Sequence, residues 1–233
     1  MHFPFADGVP EERYSRTMDH PPPARFPVYR RDPDSPPGWE RLEESVILDN
    51  PYIRVEQVRL RTPGHPGGDV HWTVARRKNA VIVAPRLPDG RFLMIHQERY
   101  PIQRTLWEFP AGQIDEPDKA DDPATIVATA LRELEEEAGH RLDPEHGRLT
   151  PLGYFFSSQG FTDEHGYLFL ADGLVPVAGP GRLGQSDETI HEARAFTWAE
   201  IEDMVAGNGI LDANTLVAYA RIKAREEMLK NGR

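Results

Sequence analysis

The segment from Asp122 to Gly139 constrains the fold more than any other part of the sequence. Asp122 has the short side-chain oxygen that favours a helix N-cap, Pro123 suits the first helical position, and Gly139 is a common helix stop. Between them, apolar residues recur at helical spacing and form one stripe: Val127, Ala130, Leu131, Leu134 and Ala138. The sequence therefore predicts an amphipathic helix that buries one face.

A second stripe on this helix is acidic. At about 100° per residue, Glu133, Glu136 and Glu137 fall within roughly a third of the helix circumference, and Glu135 points away. Like charges at these spacings repel, and the helix dipole disfavours anions near a C-terminus. A solvated acidic face is one interpretation. A divalent cation site is the other, because Mg²⁺ prefers carboxylate oxygens and substrate phosphates.

Strand-like segments lie on both sides of this helix. Alternating or continuous apolar runs predict strands near residues 46–48, 53–60, 70–74, 80–84, 92–95, 106–109, 152–156, 167–171 and 193–198. Thr197 and Glu200 have the spacing of a capping box, and Asp212 opens a last helix. Strands, one helix, more strands and two final helices indicate an α+β fold, arranged as an α/β/α sandwich.

The chain divides into three parts by composition. Residues 1–37 hold 9 of the 22 prolines and predict either an extended arm or a mobile tail. Residues 38–75 predict a small antiparallel sheet, and residues 76–233 predict the main domain.

Charge and composition exclude several classes of protein. With 27 Lys and Arg against 38 Asp and Glu, the net charge of −11 argues against a nucleic-acid partner. The absence of cysteine excludes disulfides, Cys-ligated zinc and a thiol nucleophile. No apolar run of about 18 residues predicts a membrane span, and the N-terminus lacks the pattern of a secretory signal. We therefore expect a cytoplasmic protein without a membrane partner.

The stretch from Gly112 to Gly139 resembles the Nudix box of the Nudix hydrolases. Residues 132–139, Arg-Glu-Leu-Glu-Glu-Glu-Ala-Gly, fit the second half of that pattern position by position. The first half departs from it, since six extra residues separate Gly112 from Arg132. Ala124 also stands where the pattern has Glu, with Asp121 and Asp122 nearby as substitutes.

The resemblance implies a fold and a metal site. The expected fold is the Nudix α/β/α sandwich with a mixed sheet, joined to a small N-terminal antiparallel sheet. The expected ligands of Mg²⁺ or Mn²⁺ are Glu133, Glu137, Glu136 and the carbonyl of Ala111. Arg132 is expected to orient one of these carboxylates through an ion pair.

The flanking segments resemble the ADP-ribose and nucleoside-diphosphate-sugar pyrophosphatases within that family. Residues 97–100 and 106–112 match two of their motifs, which implies that Arg99 contacts the diphosphate and that Gly112 lies at the substrate. Residues 158–164 resemble a loop that supplies a Glu to activate water or to complete metal binding, so Glu164 takes that role, with Asp163 as the fallback. Trp39 matches an aromatic residue that stacks on the base, although an anchor in the core or an interface explains it equally well.

The resemblance implies metal-dependent hydrolysis of ADP-ribose or a related nucleoside diphosphate sugar, by a homodimer that exchanges its N-terminal strands. The catalytic residues are then Glu164, Glu136 and Arg132. Two alternatives stay open. One is a Nudix hydrolase of another diphosphate, such as a dinucleoside polyphosphate or coenzyme A. The other is a sensor that binds a nucleotide sugar without cleaving it.

Overall fold

The computed structural model describes residues 27–30, 38–115, 119–177 and 188–232. Its strands are β1 (Glu40–Asp49), β2 (Arg54–Arg61), β3 (Asp69–Arg76), β4 (Ala80–Pro85), β5 (Phe92–Arg99), β6 (Arg104–Glu108), β7 (Ala111–Gln113), β8 (His140–Leu142), β9 (Arg148–Phe156), β10 (His165–Asp172), β11 (Leu174–Pro176) and β12 (Ile190–Phe196). Its helices are α1 (Pro123–Ala138), α2 (Trp198–Ala206) and α3 (Ala213–Lys230).

A four-stranded mixed sheet in the order β7-β4-β10-β9 forms the centre of the main domain. The pair of β10 with β4 is parallel, and the other two pairs are antiparallel. A second sheet has the order β12-β5-β6, and the short strands β11 and β8 pair with each other. These sheets place the end of β6, strand β7 and helix α1 side by side.

Alternate residues of β4 and β10 face two different cores. Val81 and Val83 pack with Tyr167 and Phe169 against α1, together with its apolar stripe. Their neighbours face the opposite side and pack against α2 and α3: Ile82, Ala84, Leu168 and Leu170. The central sheet is therefore sandwiched between helices, which confirms the predicted α/β/α architecture with its mixed sheet.

Helix α1 has the boundaries that its sequence predicts. The Asp122 carboxylate accepts a hydrogen bond from the Thr125 backbone N–H at 3.1 Å, and Pro123 is the first helical residue. Gly139 ends the helix in the left-handed region, with φ of 63°. The predicted capping box of α2 is also confirmed, since Thr197 and Glu200 bond each other's backbone N–H groups.

Residues 38–75 contain the predicted antiparallel sheet, in the order β1-β2-β3. It extends to Arg76 at the end of β3. Of the proline-rich segment 1–37, only residues 27–30 belong to the described part. Tyr29 packs there on Tyr154 and Phe156 of β9, with ring centroids 5.7 and 5.1 Å apart. The predictions for residues 1–26 and 31–37 lie outside the described residues.

No helix in the part of the chain described by the structure is long and apolar enough to cross a membrane.

Candidate active site

Glu137 lies at the centre of the candidate site. Its side chain is almost completely buried, with 2% of the residue exposed, and one carboxylate oxygen accepts the Ala111 backbone N–H at 2.8 Å. The other oxygen, Oε1, is buried with no hydrogen-bond partner among the described residues. Burial, aided by the charge of Glu133, raises the pKa of Glu137 to about 9. An unpaired buried carboxylate of this kind is suited to receive a cation.

Arg132 joins the other two carboxylates of the acidic stripe. Its guanidinium lies 2.6 Å from Glu133 Oε1 and 2.8 Å from Glu136 Oε2. Burial raises the pKa of Glu133 to about 7, although the charge of Arg132 opposes the shift. The arginine thus forms ion pairs with both carboxylates.

Gly112 of β7 lies directly under the Glu133 side chain. A Cβ atom at residue 112 would overlap the Glu133 carboxylate, so a side chain there would displace it. Glycine at this position allows α1 to approach β7 closely enough to bring Glu133 and Glu137 against the strand. Its position is therefore beside the acidic cluster.

Arg99 and Glu108 form a two-pronged ion pair beside the acidic stripe. Arg99 Nη2 lies 2.6 Å from Glu108 Oε2, and Arg99 Nε lies 3.0 Å from Glu108 Oε1. Glu108 is 2% exposed, and burial raises its pKa although Arg99 opposes the shift. The positive charge of Arg99 also opposes the rise in the pKa of Glu137, so the Arg99–Glu108 ion pair lies near that carboxylate.

Two acidic residues that were not among the predicted site residues, Glu188 and Asp212, act electrostatically on the same groups. The charge of Glu188 raises the pKa of Glu133, Glu137 and Glu108. The charge of Asp212, the N-cap of α3, acts on Glu108 and on Arg99. The site therefore has a surplus of negative charge, which favours a bound cation.

Thr215 is a buried residue that links α3 to the site. Its hydroxyl oxygen accepts the Phe109 backbone N–H at 2.8 Å, immediately after Glu108. The sequence analysis predicted only that a helix begins near Asp212. The structure shows that this threonine anchors the turn from β6 into β7.

Glu164 lies just before β10 and contacts residues outside the acidic stripe. Its Oε2 lies 3.3 Å from Arg77 Nη1 and 3.1 Å from the Ser157 hydroxyl. Asp163, the fallback candidate, pairs with Arg76 at 2.6 Å. In this structure, both acids are engaged with their own partners.

Trp39 lies in the N-terminal sheet region rather than in the acidic cluster. Its ring meets that of Trp72 edge to face, with the centroids 6.1 Å apart, and both side chains are exposed. This partly exposed pair of indole rings offers an aromatic surface on which a base can stack or a second subunit can pack.

The acidic stripe is chemically suited to a divalent cation, as the oxygen donors and the unpaired Glu137 Oε1 show. Within the described ranges, no three Asp, Glu or His side chains are grouped so as to hold a metal ion as they stand. Arg132 pairs with Glu133 and Glu136, and the Ala111 N–H donates to one oxygen of Glu137.

A sequence model of the NUDIX domain matches residues 76–217. This chain belongs to the NUDIX family. The matched range contains the acidic stripe, Arg99, Glu108 and Glu164, and it starts directly after the N-terminal sheet region of residues 38–75.

Several known proteins are similar to this NUDIX chain. An ADP-ribose pyrophosphatase of Bacillus subtilis (strain 168) is 32% identical over 190 residues, covering 81% of this chain and 92% of the relative. An ADP-ribose pyrophosphatase of Mycobacterium tuberculosis (strain ATCC 25618 / H37Rv) is 32% identical over 180 residues, covering 74% and 82%. The crystal structure of an ADP compounds hydrolase matches with a TM-score of 0.66 at 20% identity, covering 84% of this chain and 96% of that one. This last likeness shows the shared fold.

The structure shows what occupies the position of the missing Nudix-box Glu. Ala124, which stands in place of the usual Glu, lies in the first turn of α1 and packs against the core. The two candidate substitutes have structural partners: Asp122 caps α1, and Asp121 accepts the Tyr167 hydroxyl at 2.8 Å. The first half of the box thus supplies helix capping and packing in this NUDIX chain.

Proposed function

We propose that this chain hydrolyses the diphosphate bond of ADP-ribose or a related nucleoside diphosphate sugar. Water adds to one phosphorus, the bridging P–O bond breaks, and a nucleoside monophosphate and a sugar phosphate leave. Family membership and the two ADP-ribose pyrophosphatase relatives support this reaction class. The observation that supports it most strongly is the buried, unpaired Oε1 of Glu137 beside Ala111 and Glu133.

The residues that would hold Mg²⁺ or Mn²⁺ are Glu133, Glu136, Glu137 and the carbonyl of Ala111. A bound divalent cation supplies charge neutralisation for the diphosphate and lowers the pKa of an attacking water. The chain itself supplies the orientation. Arg132 pairs with Glu133 and Glu136, and the Ala111 N–H fixes one oxygen of Glu137.

Arg99 and Glu164 are the proposed groups that act on the substrate. The Arg99 fork is one-third exposed, and phosphate oxygens can share its donors with Glu108. Glu164 is proposed to accept a proton from the attacking water, after leaving its contact with Arg77. Gly112 keeps the floor of the site free of a side chain, and Trp39 offers a face on which a base can stack.

A homodimer built through the N-terminal sheet is part of the proposal. Strand β1 is exposed along nearly its whole length, and it includes three consecutive apolar residues, Val46, Ile47 and Leu48, of which Ile47 is 57% exposed. An apolar exposed strand is rare on a monomer. Sedimentation analysis should show a dimer, and Ile47→Glu should shift it to monomer; a monomeric native protein would contradict this part.

A product assay tests the function directly. The purified protein is incubated with Mg²⁺ or Mn²⁺ and a panel of ADP-ribose, other nucleoside diphosphate sugars, a dinucleoside polyphosphate and coenzyme A. Products are separated chromatographically and also detected by phosphatase-coupled phosphate release. We expect nucleoside monophosphate from ADP-ribose or from another nucleotide sugar. Preferential cleavage of coenzyme A or the dinucleotide, or binding of ADP-ribose without turnover, would contradict the proposal.

A further inference from the structure

The segment that precedes β10 is attached to the N-terminal sheet. We define residues 157–164 as the Glu164 loop. The Phe161 carbonyl of this loop accepts the Ala75 backbone N–H of β3 at 2.8 Å, and Thr162 forms a parallel bridge with Ala75. The Phe161 and Thr162 N–H groups both bond the Ser158 carbonyl. The loop is thus folded on itself and joined to another sheet just before Asp163 and Glu164.

The carboxylate of Asp163 is held from the N-terminal sheet. Arg76 Nη1, at the end of β3, lies 2.6 Å from Asp163 Oδ2. The same guanidinium donates through Nε to Glu56 Oε2 at 3.1 Å. Glu56 is 5% exposed, and its Oε1 also accepts a hydrogen bond from Arg54 Nε at 2.7 Å. Because Glu56 is buried and doubly paired, Arg76 is fixed in place and can fix Asp163 in turn.

The backbone of Asp163 is held from the opposite side. The buried His165 ring lies with Nδ1 3.1 Å from the Asp163 carbonyl oxygen, so this nitrogen donates. Its Nε2 lies 3.1 Å from the Tyr167 hydroxyl oxygen, which in turn lies 2.8 Å from Asp121 Oδ1. The Tyr29 ring packs on the same imidazole with centroids 4.9 Å apart. The ring therefore has a single orientation that fixes the carbonyl directly before Glu164.

We propose that Asp163 is a positioning residue. Arg76 holds its carboxylate and His165 holds its carbonyl, and we call these two contacts the Asp163 clamp. Together they fix the backbone position from which Glu164 reaches the reacting water. This inference rests on the proposed function, because it assigns to Asp163 a role in that reaction through Glu164. The alternative is that Asp163 itself takes the proton. Its close ion pair with Arg76 disfavours that role, since the lone pairs that face Arg76 are already occupied.

Kinetic comparison of three variants separates the two roles. A misplaced catalytic group costs up to about 100-fold in rate, so Asp163→Ala should lower kcat by about 10- to 100-fold with KM unchanged. Asp163→Asn keeps an oxygen acceptor for Arg76 and should retain a kcat between those of Asp163→Ala and the native protein. An Asn variant as inactive as the Ala variant would overturn the proposal.

The same substitution in a Glu164→Gln background tests whether Asp163 acts through Glu164. We expect Asp163→Ala to have no further effect on kcat in that background. A full additional loss there would show that Asp163 acts independently, against the proposal. Asp172→Ala is the matched control, because it breaks the Arg86–Asp172 ion pair of the same 2.6 Å length at the far end of β10. It should leave kcat unchanged.

Hydrogen exchange provides a readout that does not depend on activity. The amides of residues 160–164 should exchange faster in Asp163→Ala and in Arg76→Ala than in the native protein, while α1 amides keep their rates. Unchanged exchange in both variants would overturn the clamp itself. If the native protein cleaves no nucleotide sugar but the loop amides respond, the proposed function fails while the clamp stands.

Discussion

Glu137 accepts the backbone N–H of Ala111 at 2.8 Å through one oxygen, and its other oxygen is buried without a hydrogen-bond partner in the described part of the chain. The bond ties the last turns of α1 to the start of β7. A buried polar atom without a partner costs roughly 1–3 kcal/mol, so the folded protein gains when a proton or a cation occupies this position.

The stability of the metal-free protein should fall with rising pH. Burial raises the pKa of Glu133 to about 7 and that of Glu137 to about 9, from an ordinary value of 4.5. From the ordinary value of 4.5 up to the raised values of about 7 and about 9, the folded state holds protons that the unfolded state has released. The free energy of unfolding therefore decreases as pH rises through this window. Thermal unfolding in a chelator from pH 5 to pH 9 measures the decrease.

Mg²⁺ should reduce this loss, because it binds the folded state and replaces the proton. Glu137→Gln provides the control, since an amide cannot ionise and the decrease should become shallower. A melting temperature that stays level between pH 5 and pH 9 in the native protein, or a Gln variant with the same decrease, would contradict the burial argument.

Arg99→Gln should destabilise the fold as well as weaken substrate binding. It leaves the buried Glu108 carboxylate without its guanidinium, and we expect a loss of about 2 kcal/mol, since the one-third exposure of Arg99 reduces the cost below that of a fully buried pair. The double variant Arg99→Gln with Glu108→Gln should recover the unfolding temperature.

The kinetic effect separates the two roles of Arg99. If Arg99 contacts the diphosphate, KM for the nucleotide sugar stays raised in the double variant even though stability returns. Steady-state kinetics beside thermal melts give both quantities. A native KM in the double variant would limit Arg99 to supporting Glu108.

Gly112→Ala should disturb the acidic cluster through one methyl group. The added Cβ overlaps the Glu133 carboxylate, so either the side chain or α1 must move. Overpacking of this kind costs about 1–3 kcal/mol, and we expect a lower unfolding temperature together with a large loss of turnover. Gly68→Ala, in the turn between β2 and β3, is a suitable control, because a Cβ there meets open space. Equal behaviour of the two variants would contradict the close approach.

Local signals made the helices predictable. The N-cap bond of Asp122, the left-handed Gly139 and the capping box of Thr197 and Glu200 act within four residues, so the sequence alone predicts them correctly. Strands β7, β8 and β11 were not predicted, because three residues are too few to show a period. Their pairing depends on neighbours that are distant in sequence.

Only the part of the candidate site that follows local spacing could be predicted. The acidic stripe follows from helical spacing, and Glu133 and Glu137 are both buried on α1. The contacts of Thr215 with Phe109 and of Gly112 with Glu133 could not be predicted, because they join segments that only the folded sheet brings together. The ion pair of Arg76 with Asp163 likewise joins β3 to the Glu164 loop, across 87 residues of sequence.

Turnover of ADP-ribose by Glu137→Gln at saturating Mg²⁺ tests the central claim most directly. Glutamine keeps the shape and an acceptor for the Ala111 N–H, so the fold should persist, as circular dichroism and a thermal melt can verify. Loss of a direct metal ligand should lower kcat/KM by more than the roughly 10- to 100-fold lost when a residue that only hydrogen-bonds to a metal ligand is replaced. Turnover equal to that of the native protein, which must itself be active, would contradict the assignment of Glu137 as a cation ligand.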